Sequence, residues 1–349
     1  MQALICEAFG PVENLRIQET PPPVLGNGQV RIDVHACGVN FPDVLIVQGL
    51  YQVKPEPPFS PGCEVAGVIS EVAADVSAYR TGDRVLAWLG FGGCAEQAVA
   101  PAENVFPLPA SMDFATASVL LLTYGTAYHA LVQRANLLPG ENVAVLGAGG
   151  GIGLACVELA KALGARVIAC ASSPAKLAVA REHGADVVVD YSTENLRDAL
   201  KANTDGAGVN VVCDPVGGEL AEPAFRAIAW QGRFLVIGFA AGGIPRLPLN
   251  LALLKGASIV GVFWGDFTNR EPHTNRQNTQ ALMELFEARK ISPRISQKFA
   301  LRDTLAALDM LRNRQAVGKL VVQVRPMLEA RSLTSGQGNT RPRQDPLLD

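Results

Sequence analysis

The chain has 349 residues, of which 48% are hydrophobic and 18% charged, and its formal net charge is −3. This length predicts two domains, and the composition is that of a globular protein. The mild charge gives no electrostatic reason to expect nucleic acid or an anionic membrane as a partner. The seven cysteines include no CxxC pair, and the N-terminus MQALICEAFG has no basic segment followed by an apolar run. We therefore expect a cytoplasmic protein without a disulfide framework or a signal peptide.

Residues 1 to about 110 contain short β-type segments between Gly- and Pro-rich turns. QVRIDVHACGV (29–39) alternates apolar and polar residues, as a half-buried strand does. EVAGVISEV (64–72) and DRVLAWL (83–89) follow after turn signals, and a short helix is predicted at 41–48. This part of the chain is therefore predicted to be an irregular, mostly β domain.

From residue 113 the pattern changes to longer and more regular segments. ATASVLLLTYGTAYHALVQRANL (115–137) has the length of a helix, and strand-like and helix-like segments then alternate. Among them, ELAEPAFRAIAWQ (219–231) is predicted to be helical and SIVGVFW (258–264) to be the last strand. Such alternation predicts an α/β fold with a doubly wound parallel sheet covered by helices on both faces. A helix near 275–289 and the strand KLVVQV (319–324) should pack back on the first domain.

The glycine run in ENVAVLGAGGGIGLACVELAKALG lies between a predicted strand and a predicted helix. Gly150 and Gly153 have the spacing of the last two glycines of a dinucleotide-binding motif, and Ala148 occupies the position of the first. Glycine lets the backbone approach a pyrophosphate, and the helix N-terminus favours an anion. A plain strand-to-helix turn is the alternative. The predicted pyrophosphate site comprises Ala148, Gly149, Gly150, Gly151, Ile152 and Gly153.

The residues after the next strand indicate which dinucleotide is bound. NAD sites usually have an acid there, which accepts a hydrogen bond from the ribose 2′-hydroxyl. This strand ends in CASS, with Ser172 and Ser173 but no acid, and Lys176 follows at the start of a helix. Hydroxyls, helix N–H groups and a cation suit the 2′-phosphate of NADP. We therefore predict NADPH as the cofactor, and an ordinary exposed lysine is the alternative interpretation of Lys176.

No pattern of metal ligands or of an activated nucleophile occurs in the sequence. HExxH and GxSxG are absent, and the four histidines are far apart. Cys63 and Glu64 place a soft ligand beside a carboxylate, but a small buried cysteine at a strand edge explains Cys63 equally well. His129 is expected to pack rather than to catalyse. We therefore predict no metal site.

Several motifs follow one another in a characteristic order along the chain. After the β-type start come GVNFPD (38–43), QGLY (48–51), PGCEVAG (61–67), LTYGTAYHAL (122–131) and the glycine run. This order resembles the zinc-independent NADPH:quinone oxidoreductases, the zeta-crystallin-like branch of the medium-chain dehydrogenase/reductase superfamily. Zinc-binding members have a cysteine at the position of Asn40, a histidine at that of Cys63, and a four-cysteine lobe where this chain has only Cys94.

The resemblance implies a division of the chain into domains. A GroES-like, mostly β catalytic domain would comprise residues 1–121 and 265–326, and a Rossmann NADPH-binding domain would comprise residues 122–264. The tail 327–349 has little to bury, and we expect it to be disordered.

The resemblance also implies roles for individual residues. Asn40, which would also contact the cofactor, and Asp43 would line the cleft near the nicotinamide, although a turn that caps the following helix would use the same two residues. Tyr51 would lie on the substrate side; a surface aromatic is the alternative. The segment 262–276 departs from the family pattern, so the resemblance does not predict the substrate pocket. Further implied cofactor contacts are Thr126, Lys176, Tyr191, Gly238, Phe239 and Phe263.

The function that follows from the resemblance is hydride transfer from NADPH to a quinone or a related electron-poor acceptor, without a metal. The cofactor carries the hydride chemistry, and without zinc ligands there is no Lewis acid to polarise a simple ketone. A reductase of enal or enoyl double bonds and a low-turnover NADPH-binding structural or regulatory protein remain open. The expected partners are a small-molecule acceptor and a second copy of the chain, because 258–264 is a long apolar edge that favours a homodimer.

Overall fold

The computed structural model describes residues 1–325, and their N-terminal part is rich in strands. The alternation in 29–39 produces a long strand whose Val30, Ile32 and Val34 are fully buried. The helix predicted at 41–48 forms one residue shorter. The elements of this part are β1 (Gln2–Ile5), β2 (Arg16–Glu19), β3 (Gln29–Val39), α1 (Phe41–Val47), β4 (Glu64–Val72), β5 (Arg84–Trp88), β6 (Gln97–Pro101), β7 (Val105–Pro107), α2 (Phe114–Ala117) and α3 (Leu121–Tyr128).

A six-stranded parallel sheet follows, and it confirms the predicted doubly wound α/β fold. Its strand order is β10-β9-β8-β11-β12-β13. Successive strands are therefore added outward on one side of β8 up to β10, and then on the other side of β8 from β11 onward. Ligands of such sheets bind beyond the carboxyl ends of the strands at this change of side. The elements are β8 (Asn142–Leu146), α4 (Gly151–Ala162), β9 (Arg166–Ala171), α5 (Pro174–Glu182), β10 (Val187–Asp190), α6 (Leu196–Ala202), β11 (Val209–Asp214), α7 (Ala221–Arg226), β12 (Ile228–Val236), α8 (Asn250–Lys255) and β13 (Ser258–Gly261).

The last described elements, which include β14 (Ile295–Ala300) and β15 (Lys319–Gln323), return the chain to the first sheet. The strand order of that sheet is β14-β15-β3-β4-β5-β7, with β6 paired to β3. Strand β15 pairs antiparallel with β3, and Leu320 lies opposite Val39. The helix predicted near 275–289 packs on α3, and its Arg276 donates to the backbone carbonyl of Glu103 at 3.0 Å. These elements are α9 (Trp264–Arg270), α10 (Pro272–Glu287), β14 (Ile295–Ala300), α11 (Thr304–Arg312) and β15 (Lys319–Gln323).

The predicted helix at 219–231 is wrong in its second half. Helix α7 ends at Arg226, and β12 begins at Ile228. Ile228 pairs with Val209 of β11 and is fully buried. Burial beside β11 therefore outweighs the helical pattern of the sequence, because strand preference is set mainly by packing.

Two other segment boundaries differ from the predicted ones. The long helix expected at 115–137 is divided into α2 and α3 and ends in a wider, π-type turn at His129–Arg134. The strand expected at 258–264 ends at Gly261, and Trp264 already begins α9. The Trp264 side chain is buried against α3 and β5 instead of continuing the sheet edge, which explains the shorter strand.

Residues 1–325 include no helix that combines the length and the apolar character needed to cross a lipid bilayer. The tail 327–349, which was expected to be disordered, lies outside the described residues.

Candidate active site

The glycine run forms a tight turn between β8 and α4, as predicted. Gly147 begins it with φ +61°, a left-handed conformation that glycine adopts without strain. A Cβ on Gly153 would overlap the carbonyl oxygen of Gly147, so glycine is needed there for the helix to approach the strand. Gly150 caps α4 without a side-chain hydrogen bond. The first N–H groups of α4 are therefore left for an anion, and the turn fits a dinucleotide pyrophosphate.

A segment from the first sheet closes over this turn. The Gly318 N–H donates to the carbonyl oxygen of Gly149 at 2.8 Å, and Gly318 forms a parallel bridge with Gly150. Beside it, the Lys319 stem lies so close to Gly151 that a Cβ there would be 2.8 Å from Cδ of the lysine. Residues that follow the glycine turn by about 170 positions thus complete its packing.

The predicted 2′-phosphate residues gather at the carboxyl end of β9. Ser173 caps α5 and accepts from the backbone N–H of Lys176 at 3.5 Å. The Lys176 stem covers Gly149, and its ammonium donates to the carbonyl oxygen of Arg314 at 3.2 Å. Burial raises the pKa of Tyr191, and a hydrogen bond with Ser172 and the charge of Arg314 oppose this rise. The structure therefore brings together all four predicted residues.

Arg314 is a cation at this place that the sequence analysis did not include. It follows α11, has φ +57°, and donates from Nη2 to the carbonyl oxygen of Ala241 at 2.9 Å. It lies 138 positions beyond Lys176 in the chain, and no motif surrounds it. Only the return of the chain to the first sheet brings the two cations to the same cleft.

Asn40 and Asp43 lie at the start of α1. The two predicted interpretations, a helix cap and a cleft-lining pair, concern the same polar groups of these residues. The Asp43 carboxylate accepts from the backbone N–H of Asn40 at 2.7 Å and from that of Gly62 at 3.1 Å. The bond from Asn40 caps the helix, as the capping interpretation requires, and the bond from Gly62 ties the helix to a distant segment. Burial raises the pKa of Asp43 from 3.8 to about 7, while the two N–H groups and nearby Lys319 hold it lower than burial alone would. This carboxyl can therefore exchange a proton near neutral pH.

The Asn40 amide belongs to a buried polar cluster with Glu64 and Lys319. Its Nδ2 donates to Oε1 of Glu64 at 2.9 Å and to Sγ of Cys63 at 3.3 Å. The Lys319 ammonium donates to Oδ1 of Asn40, to Oε1 of Glu64 at 3.2 Å and to the carbonyl oxygen of Val39 at 3.1 Å. Glu64 and Lys319 are 0% and 5% exposed. Lys319 was not predicted from the sequence, where its position after a glycine at the start of a strand was the available signal, and Glu64 was predicted only as a possible metal ligand.

Tyr51 is half-buried and lies close enough to Asp43 and Cys63 to be affected by their charge. Burial, followed by these two groups, raises its pKa to about 12. The phenol therefore stays protonated at neutral pH and can donate a hydrogen bond or a proton. Tyr51 packs against the hydrophobic core of the first sheet, and its place on the substrate side stays a prediction.

The segment 262–276, which the sequence left open, packs against both sheets. Trp264 meets Trp88 of β5 edge to face, with ring centroids 4.9 Å apart, and its indole lies against Gly125 of α3. Phe263, just before it, is 50% exposed, and Phe239 after β12 is 38% exposed. Both aromatics follow the carboxyl ends of parallel strands, where ligands bind in this type of sheet. Whether Asn40 and Tyr51 face Gly238 and Phe239 across the cleft stays a prediction.

Two protein-family models match this chain. One, described as the alcohol dehydrogenase GroES-like domain, matches residues 26–110, and the other, described as zinc-binding dehydrogenase, matches residues 151–287. The chain belongs to the medium-chain dehydrogenase/reductase superfamily. The GroES-like match falls on the first sheet and the dehydrogenase match on the parallel sheet, so the predicted combination of folds is confirmed.

Similar proteins within the superfamily cover nearly the whole chain. The quinone oxidoreductase-like protein 2 homolog of Nematostella vectensis is 42% identical over 304 residues, which are 86% of this chain and 83% of the relative. The synaptic vesicle membrane protein VAT-1 homolog of Rattus norvegicus is 30% identical over 94% of this chain and 85% of the relative. The structure of Escherichia coli quinone oxidoreductase complexed with NADPH matches with a TM-score of 0.86 at 26% identity, over 93% of this chain and 100% of that one.

Asn40 and Cys63 stand where zinc-binding members of the superfamily have zinc ligands, and here they contact each other. Asn40 and Cys63 are hydrogen-bonded to each other, and Cys63 is buried, as expected for a packed thiol. Burial, followed by the nearby Asp43 carboxylate, raises the pKa of the Cys63 thiol well above its usual range. Among residues 1–325 no three His, Cys, Asp or Glu side chains are grouped so that they could hold a metal.

Proposed function

We propose that this chain is an NADPH-dependent oxidoreductase that reduces a quinone or a related electron-poor acceptor without a metal. The observation that carries the proposal is the end of β9, where the CASS segment has no acid, the Lys176 stem covers the glycine turn, and its ammonium bonds the backbone of Arg314. A 2′-phosphate would find two cations there and no carboxylate in the CASS segment. The NADPH complex of the similar Escherichia coli enzyme supports the same cofactor.

The described residues would divide the work of binding between two ends of the cleft. The first turn of α4 would receive the pyrophosphate, and Ser172, Ser173 and Lys176 with Tyr191 would receive the 2′-phosphate. Thr126, which is buried on α3, and the exposed rings of Phe239 and Phe263 would hold the nicotinamide end. When bound there, NADPH supplies the hydride.

Tyr51 is the proposed source of a proton for the reduced acceptor. Its pKa of about 12 keeps the phenol protonated at neutral pH, and the charge of Asp43 acts on it. No Lewis acid is needed when the acceptor is already electron-poor. Elemental analysis should therefore find less than stoichiometric zinc, and a chelator should leave turnover unchanged; one zinc per chain would contradict this assignment.

The proposed function is tested by following NADPH absorbance with a para-quinone, with an enal and with no acceptor. Fast oxidation with the quinone is expected. A preference for the enal would favour a double-bond reductase, and no oxidation with either acceptor would favour a low-turnover binding protein.

Two tyrosine variants test the proton donor. Tyr51→Phe should lower kcat about 10-fold or more, since a positioned acid contributes at least that much, with little change in the KM for NADPH. Tyr79→Phe is the matched control, because its hydroxyl donates to Val105 in the same sheet region. Equal losses in the two variants would refute the role of Tyr51.

We also propose a homodimer in a reducing cytosol. β13 is the edge of the parallel sheet, and Ile259 on it is 40% exposed. The neighbouring α8 exposes Leu253 and Leu254, so the edge is apolar over a wider area than one strand. All seven cysteines are free, which supports the reducing compartment.

A further inference from the structure

Lys319 makes contacts with two parts of the cleft that are far apart in sequence. Its ammonium lies among the oxygens of Val39, Asn40 and Glu64, all within the first sheet region. Its hydrocarbon stem lies against Gly151 at the first turn of α4, beside the methyl group of Thr123. The preceding residue is bonded to the glycine turn. Lys319 thus spans from the proposed pyrophosphate site to the proposed nicotinamide end.

The charges around Asn40 determine how its amide is oriented. Oδ1 faces the Lys319 ammonium, and Nδ2 faces the Glu64 carboxylate. Rotating the amide by half a turn would place N–H groups against the cation and the carbonyl oxygen against the anion. In a site this well buried, neither repulsion is screened by water. The second Glu64 oxygen is held by the backbone N–H of Leu122 at 3.0 Å, so the anion is fixed as well.

A buried lysine–glutamate pair is weak evidence for stability, because the cost of removing both charges from water offsets their attraction. The cluster is therefore better explained by what it holds in place. Asn40 is the residue it holds, since each heteroatom of that amide faces one of the two charges.

We propose that Lys319 is a positioning residue, which fixes the Asn40 amide in one orientation and in register with the glycine turn. The proposal rests on the proposed function only in that Asn40 lies near the nicotinamide. Lys319 acts through Asn40 and need not touch the substrate. Losing the ammonium leaves Oδ1 without its donor, so the amide is held only through Nδ2, by Glu64 and by the Gly38 carbonyl at 3.1 Å, and its position becomes less fixed. The glycine turn and the 2′-phosphate residues stay intact.

The test uses Lys319→Met, which keeps most of the stem over Gly151 and removes the charge. Asn40→Ala and the double variant complete a cycle, and Lys298→Met, an exposed lysine on neighbouring β14, is the control. We expect kcat to fall about 10- to 100-fold in Lys319→Met, the range for a lost charge-assisted hydrogen bond, with the Kd for NADPH within about threefold. In the Asn40→Ala background the same change should add little, because the residue it positions is gone. The control should match the wild type.

Two results would overturn the proposal. Losses that multiply in the double variant would show that Lys319 acts independently of Asn40. A large loss of affinity for NADPH and NADH alike with kcat retained would show that Lys319 binds the pyrophosphate itself. If Lys319→Met fails to fold because Glu64 is left without its cation, Lys319→Met/Glu64→Gln removes both charges, and the same kcat loss is expected there.

A second readout separates this proposal from the proposed function. If the wild type reduces neither acceptor, the proposed function fails, but the fluorescence of bound NADPH still reports the surroundings of its nicotinamide. Lys319→Met should then change that emission at unchanged Kd, and Asn40→Ala should abolish the difference. An emission spectrum identical to that of the wild type at saturating NADPH would refute the positioning role.

Discussion

Replacing Lys176 with methionine tests which dinucleotide the glycine turn holds. The stem of Lys176 packs over Gly149, so alanine would also uncover the turn, whereas methionine keeps most of that contact. A charge-assisted hydrogen bond contributes about 1.5–3 kcal/mol. Because Arg314 remains beside the site, we expect the lower part of this range, about 1.5–2 kcal/mol, which weakens NADPH binding roughly 10- to 30-fold. NADH has no 2′-phosphate, and its affinity should stay within about twofold.

The assay is a pair of calorimetric titrations, with NADPH and with NADH, at one fixed salt concentration. Lys201→Met is the matched control: its ammonium also donates to one backbone carbonyl, that of Gly206 at 3.0 Å, but it lies in the last turn of α6 and not at the start of α5. Lys176→Met/Arg314→Met should nearly abolish the preference for NADPH. Equal losses for both cofactors would mean that Lys176 supports the turn rather than the phosphate, and a wild type that prefers NADH would refute the cofactor assignment.

Three further predictions concern proton uptake, packing and assembly. Because burial raises the pKa of Asp43 from 3.8 to about 7, its contribution to stability is complete below the ordinary value and is lost as the pH rises towards the higher one. Relative to Asp43→Asn, the wild type should therefore lose about 2–3 kcal/mol of unfolding free energy between pH 5 and pH 8, and a difference that is constant with pH would contradict this. Gly153→Ala should cost about 1–3 kcal/mol in urea unfolding, since its Cβ would overlap the Gly147 carbonyl, and an unchanged midpoint would refute that overlap. Ile259→Lys should convert a dimer into a monomer in sedimentation experiments, whereas a monomeric wild type would rule out the homodimer.

The fold could be predicted largely from the sequence because its signals are local. Strand-turn-helix alternation and the glycine run identify the parallel sheet, and the alternation in 29–39 identifies the main strand of the other. Prediction failed where packing between distant segments decides the outcome. Ile228 joins a strand because β11 lies beside it, and Trp264 leaves the sheet because Gly125 and Trp88 make room for its indole.

The candidate site was predictable in part for the same reason. Ser173 and Lys176 follow a strand within one supersecondary unit, so the motif itself shows that they are near the turn. Lys319 and Arg314 come from the end of the described chain and reach the cleft only through β15 and α11. A lysine in an apolar strand carries no sign of its partner, and the burial of Glu64 cannot be seen without knowing that Lys319 faces it.

The hydrogen bond from Gly318 to Gly149 limits how freely the parts of this enzyme could be exchanged with those of a relative. A nucleotide-binding segment taken as 142–261 would carry every strand of the parallel sheet but not the residues that cover its glycine turn. In a chimera, a foreign 318–319 pair would meet the native turn, and small differences in strand register would move the turn's backbone. Recombination between family members should therefore preserve cofactor binding only when both segments come from the same parent. Cofactor binding therefore depends on residues of both sheets, although the order of the elements along the chain suggests separable domains.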